Sequence, residues 1–155
     1  ASPRRHRAVG AQLGAVAVGG AVLSVVGTAL TIAAVALALP TTDYGFLLSA
    51  GNVLRLLGAA AFAGAAGAVF GAGFGSIVRS VGGAVTGTTI ALIIAPPLIV
   101  QMANDTASWM PNILANVLAG AGTDVSTPAA LAALATWALV PAAIGLVAVE
   151  RRDVV

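Results

Sequence analysis

Residues 56–100 form two apolar runs separated only by Val78-Arg79-Ser80. The first, 56–77, has no charged residue and is rich in glycine. The second, 81–100, is also uncharged and carries Pro96-Pro97 near its far end. Each has roughly the 20 apolar residues that a helix needs to cross a hydrocarbon layer of about 30 Å. A fold in water has no place for two such runs in succession. The pair is therefore expected to form a transmembrane hairpin that turns at Arg79.

The remaining sequence agrees. Only 8% of the 155 residues are charged and 59% are hydrophobic, with a mean hydropathy of +1.04. Ordinary globular domains are about one-quarter charged, so this chain cannot cover a water-facing surface. We expect an all-α, polytopic transmembrane helical bundle. It forms a single transmembrane domain with spans near 9–39, 54–78, 82–104 and 128–149, plus a short outer interfacial helix.

The first span follows a basic head, Arg4-Arg5-His6-Arg7, and stops at Pro40. It exceeds the 7–15 apolar residues of a cleavable signal core and reads as retained. The second span carries Gly64, Gly67, Gly71 and Gly75. Gly67, Gly71 and Gly75 make a tandem small-xxx-small pattern, which lets helix backbones approach closely in lipid. Phe46 to Val53 suggests a short interfacial helix broken before this span by Gly51-Asn52. Arg55, near the outer end, is expected to snorkel to the interface.

In the third span Pro96 and Pro97 remove two backbone donors, so a kink or hinge is expected. Pro141 marks a similar site in the fourth span. Between these spans, residues 107–118 place Trp109, Met110, Ile113, Leu114, Val117 and Leu118 at helical spacing. This segment is expected to lie on the outer interface, anchored by Trp109.

The charges set an orientation. Four spans put Arg4, Arg5, Arg7, Arg79, Arg151 and Arg152 on one side and Arg55 alone on the other. By the positive-inside tendency, both termini are expected to be cytoplasmic in a multi-pass protein of the cell membrane.

Several chemistries have no residues to carry them. Cysteine is absent and the one histidine, His6, sits among arginines, so no metal or nucleophile–base set can be assembled. No acidic residue lies within a span. Gly71, Gly73 and Gly75 lack the lysine of a phosphate loop. The positive charge sits at span ends and does not indicate nucleic acid. No catalytic, metal or cofactor site is expected, and membrane lipid is the immediate environment.

Taken in order, certain features resemble the permease subunit of bacterial ABC-2 type transporters. Pro3-Arg4-Arg5 precedes a long Ala/Val/Gly span. Val53-Leu54-Arg55-Leu56-Leu57-Gly58 opens the next, which closes on Gly73-Phe74-Gly75-Ser76-Ile77-Val78-Arg79-Ser80. Gly82-Gly83-Ala84, Pro96-Pro97-Leu98, Trp109-Met110-Pro111 and Glu150-Arg151-Arg152-Asp153 follow.

Such permeases usually have six spans, and the resemblance covers the last four. It implies a non-enzymatic subunit of an exporter. ATP would be bound and hydrolysed by a separate ATP-binding subunit, and a second permease half would complete the pathway. It would also put Arg4, Arg5 and Arg7 near the ATPase contact. The alternative is a stand-alone four-helix membrane scaffold or assembly protein whose glycine face binds a partner helix.

The cysteine-free chain suits single-cysteine labelling. Asp43→Cys and Asp124→Cys should react with a membrane-impermeant maleimide in intact cells. Ser80→Cys should react only after permeabilisation. The reverse pattern would invert the topology.

Overall fold

A computed structural model describes residues 3–39, 48–78, 80–122 and 124–152. The described residues are helical, with no strand among them. Helix α1 spans Pro3–Ala38 and α2 spans Ala50–Val78. A third, composite helix follows: α3 over Val81–Thr89, a π segment over Ile90–Ile94, and α4 over Ala95–Met102. A 3₁₀ segment, Asn104–Trp109, leads to α5 at Pro111–Ala119, and α6 covers Thr127–Arg152.

Four stretches are long and apolar enough to cross a membrane: Gly10–Ala38, Ala50–Val78, Val81–Met102 and Thr127–Val149. The chain is thus an all-α bundle of the membrane-protein kind. The Arg79 turn, the 40–47 loop with Asp43, Tyr44 and Phe46, and Asp153 lie outside the described residues.

The second span differs from expectation at its start. Gly51-Asn52 does not interrupt it: α2 begins at Ala50 and runs straight through both. Ser49 explains the start. Its hydroxyl accepts the Asn52 N–H at 3.3 Å, an N-cap that satisfies a donor of the first turn. Ser80 performs the same function for α3, with extended backbone (φ −131°, ψ 140°) and its hydroxyl accepting the Gly83 N–H at 3.0 Å.

The proline pair does not end the third span. The preceding turn widens instead, and the Ala95 N–H donates to the Ile90 carbonyl in i→i+5 register. A proline inside an α-helix loses a bond and pushes its ring at the carbonyl four residues back. A π turn is a known way to absorb such a local conflict within a continuing helix. Pro96 is fully buried, while Pro97 faces outward.

Helix α2 is the hub, packing against α1, α3, α5 and α6. At 100° per residue, Gly64, Gly71 and Gly75 share one side of α2 and Gly73 lies on the opposite side. The structure uses the two sides for different neighbours. Against α1, a methyl at Gly20 would sit 2.5 Å from the Gly64 carbonyl oxygen, and one at Gly64 would sit 2.5 Å from the Gly20 carbonyl oxygen.

Gly71 and Gly75 face α3, where added methyls would lie 3.7 Å from Thr88 Oγ1 and 3.3 Å from the Ala84 side chain. Gly73 meets α6. A methyl there would lie 2.6 Å from the Pro141 carbonyl carbon and the Ala142 Cα, and one at Gly145 would lie 2.7 Å from the Gly73 carbonyl oxygen. Gly67 has no atom within 4 Å of such a methyl. The series Gly64, Gly67, Gly71 and Gly75 is therefore divided among α1, a void and α3. The tightest contact with α6 belongs to Gly73, outside that series.

This division predicts an ordered response to enlargement. Gly73→Ala forces one helix backbone off another and should destabilise the bundle by roughly 1–3 kcal/mol, as overpacking does. Gly58→Ala, where a methyl meets open space, should be neutral or stabilising because alanine favours the helix. Thermal unfolding in a mild detergent would read both, and an equal response would refute the assigned α2–α6 contact.

Candidate functional site at the α5 end of the bundle

The buried core lies at one end of the bundle. Ala59 of α2, Leu114, Val117 and Leu118 of α5, and Ala130 and Leu134 of α6 form one cluster, with Phe62 and Trp137 packed against it. Leu114 is completely inaccessible. The apolar face of α5 turns inward, between α2 and α6. The segment from 104 to 119 is broken in two. Pro111 disfavours helix at the residue before it, so Met110 is extended (φ −74°, ψ 143°) and α5 begins with proline in its first turn.

The far end of α5 is closed by three devices. Gly120 adopts φ 109°, which suits glycine. Its N–H donates to Val117 O at 3.1 Å and the Ala121 N–H donates to Asn116 O at 2.9 Å, forming a Schellman motif. Arg55 completes the cap from α2. Its Nε–H donates to Leu118 O at 3.0 Å and its Nη2–H to Val117 O at 3.3 Å.

A cation at a helix C-terminus also meets the negative end of the helix dipole. Arg55 thus holds the α5 terminus from α2. A second tie acts near the start of the segment, where the Trp137 Nε1–H donates to the Trp109 carbonyl at 3.2 Å. Trp109 itself is half exposed.

Beneath α5 lies a cavity of about 190 Å³. Gly67 and Phe70 of α2, Leu92 of the π segment, and Leu134 and Trp137 of α6 form its walls, and Pro111 and Asn112 stand at its α5 end. A second apolar cavity of about 250 Å³ adjoins it along α6, bounded by Val140 and Pro141 and sharing Phe70 and Trp137. Phe70 is fixed by stacking on Phe74, with ring centroids 6.2 Å apart.

Two other grooves are larger and shallower. One, about 460 Å³, lies between Gln12, Ser76 and Ser80 near the termini. The other, about 480 Å³, separates α1 from α2 beside Ser24, Thr28 and Thr31. Hydroxyls in these regions are partly occupied within their own helices: Thr31 Oγ1 donates to Gly27 O and Ser76 Oγ to Ala72 O, both at 2.9 Å.

The lining of the two cavities is largely apolar. Among the described residues no three of His, Cys, Asp or Glu stand close enough to hold a metal. Arg4, Arg5 and Arg7 belong to the first turns of α1, far along the chain from α5, and their side chains lie outside the described set. Pro96 is buried in the third span, and Pro141 lies at the Gly73 contact as well as beside the second cavity. Sequence reasoning missed Gly20, Gly73, Gly145 and the role of Arg55. The usable signal was the lone arginine at a span end, one helix away from a short helix ending in glycine.

Known protein families, curated proteins and solved structures show no match to this chain.

Arg55→Met keeps the length of the side chain and removes its donors. It should speed amide exchange at 116–121 and lower the melting temperature, with Arg55→Lys intermediate because lysine cannot reproduce the guanidinium fork. Unchanged exchange at these amides would mean that the Schellman motif alone secures α5.

Proposed function

We propose that this chain is the membrane-spanning permease subunit of an ABC-2 type exporter. Its place is the cell membrane, with cytoplasmic termini. The observation that carries the reading is the serial order of features over nearly the whole chain, from Pro3-Arg4-Arg5 through Gly73 to Ser80 and Pro96-Pro97 to Glu150-Arg151-Arg152-Asp153. The apolar character of the four spans is compatible with it. No acidic residue within a span offers a route for ion coupling, so the energy for uphill movement comes from a separate ATP-binding subunit. Closure of two such subunits would rock two permease halves, and substrate would leave between them or along their lipid face. Arg4, Arg5 and Arg7 supply the cationic surface toward the ATPase.

The scaffold reading retains one supporting observation. Gly10 and Gly14, four residues apart on one face of α1, have no atom within 4 Å of where a methyl would stand. A partner helix would dock there; the α2 glycines Gly64, Gly71 and Gly75 already face this chain's own helices.

Purification from native membranes in mild detergent discriminates between the two. A stoichiometric partner with Walker A and B motifs is expected, and replacement of Arg4, Arg5 and Arg7 by alanine should uncouple its ATP hydrolysis from transport. Recovery with membrane partners that lack these motifs would sink the exporter reading. Unchanged coupling would remove the role given to the arginines.

A further inference from the structure

We propose that the paired cavities along α6 form a binding slot for one acyl chain of a membrane phospholipid, entering from the α5 end. The proposal depends on the membrane setting alone and is independent of any exporter role. Four observations carry it.

First, the residues around the slot all belong to stretches long and apolar enough to cross a membrane, apart from Pro111 and Asn112. Second, its polarity is graded. Asn112 offers an amide at the α5 end, whereas Phe70, Val140 and Pro141 line the deeper part with Thr136, whose hydroxyl donates to the Ala132 carbonyl at 2.8 Å within α6. Third, the polar atom of Trp137 is already committed to the Trp109 carbonyl, so the indole presents its apolar ring to the slot. Fourth, the shape is elongated, because both cavities share Phe70 and Trp137 and continue from Leu134 to Pro141 along α6.

Water gains little in such a space, since it needs two to four polar partners. An engineered apolar cavity of about 150 Å³ stays dry yet accepts a benzene ring. The first cavity here is larger and is continued by the second. In a bilayer the most abundant apolar group is an acyl chain, and an amphiphile with its head toward Asn112 matches the gradient. Of the two larger grooves, the one beside Gln12, Ser76 and Ser80 is more polar, and the one between α1 and α2 has no residue of α5 or α6 in its walls.

Gly67 supplies the test. A side chain there meets no atom within 4 Å at its first carbon and lies on the slot wall, so Gly67→Leu fills the space without a backbone collision. Trp109→Phe leaves Trp137 as the only indole and retains the backbone carbonyl that accepts its N–H. The Trp109→Phe protein is reconstituted in vesicles of dioleoylphosphatidylcholine or of its dibrominated analogue, and Trp137 emission is compared.

The proposal expects several-fold quenching by the brominated chains, largely abolished by adding Gly67→Leu and unaffected by Gly58→Leu, which lies off the slot. Ala63→Leu, from the same wall, is the second filling variant. Equal quenching with the slot filled would show that Trp137 senses only bulk lipid. Absence of quenching in the Trp109→Phe protein, or quenching by aqueous iodide, would show a dry, differently occupied or water-filled space. Each of these results overturns the assignment.

Discussion

The backbone contact between Gly73 and the Pro141-Ala142 stretch of α6 is the constraint on which the bundle rests. In lipid, helices gain nothing by hiding apolar side chains from one another, because the surroundings are equally apolar. Association then depends on close packing. Hydrogen in place of a side chain at Gly73 and Gly145 lets the two backbones meet and fixes the distance between α2 and α6. Once that distance is set, the separation at Ala59 and Ala130 is set too, and Leu114, Val117 and Leu118 of α5 fit between the two helices. The wedge α2–α5–α6 follows from one glycine contact at its narrow end and one aliphatic cluster at its wide end.

Helix α5 brings a problem that the spans do not have. A short helix ends in carbonyls that need donors, and near a bilayer an unmet carbonyl is expensive. Local backbone satisfies Asn116 and Val117 through the Schellman motif. Leu118 has Arg55, which also gives Val117 a second donor. Two of the guanidinium donors are thereby in use at the α5 terminus. The same group that by composition reads as a surface anchor becomes a bond between α2 and α5.

The class of fold was legible because it follows from bulk hydropathy, which is summed over many residues and survives local error. The span limits were also close: 54–78 was expected against Ala50–Val78, and 128–149 against Thr127–Val149. The glycine partners were less legible. A small-xxx-small pattern identifies a face but not its neighbour, and α2 has small residues on more than one face. Gly64 and Gly73 are related by about 180° on the helix wheel, yet they meet α1 and α6. That assignment depends on the positions of three other helices.

Residues 104–119 were harder for a related reason. Their helical apolar spacing is the same whether the apolar face meets lipid or protein. Only the space left by Gly73 and Ala59 decides between the two. The arginines of the head remain a matter of sequence alone, because their side chains are outside the described set.

The buried residues divide the molecule mechanically. Ala59, Phe70, Met110, Leu114, Val117, Leu118, Ala130, Leu134, Ala138 and Ala142 all belong to α2, α6 or the 110–118 segment. Among the described side chains α1 contributes none, and the third span contributes Pro96. These two spans are therefore held to the wedge by small-residue contacts, such as Gly20 with Gly64 and Thr88 with Gly71, while their large side chains face outward: Leu23, Leu30 and Leu37 on α1, and Val81, Ile93 and Met102 on the third span.

Lipid accepts such faces without penalty. The third span packs less extensively on α2 than α1 or α6 does, which marks it as the element that opens most easily. The π turn before Pro96 lies in this lightly held span, and Pro141 in the tightly held α6. Two prolines that look equivalent in sequence therefore act differently. The π turn, with its wider register, lies where the helix has room to flex. Pro141 lies at the Gly73 contact, where its backbone carbonyl carbon and Ala142 meet α2.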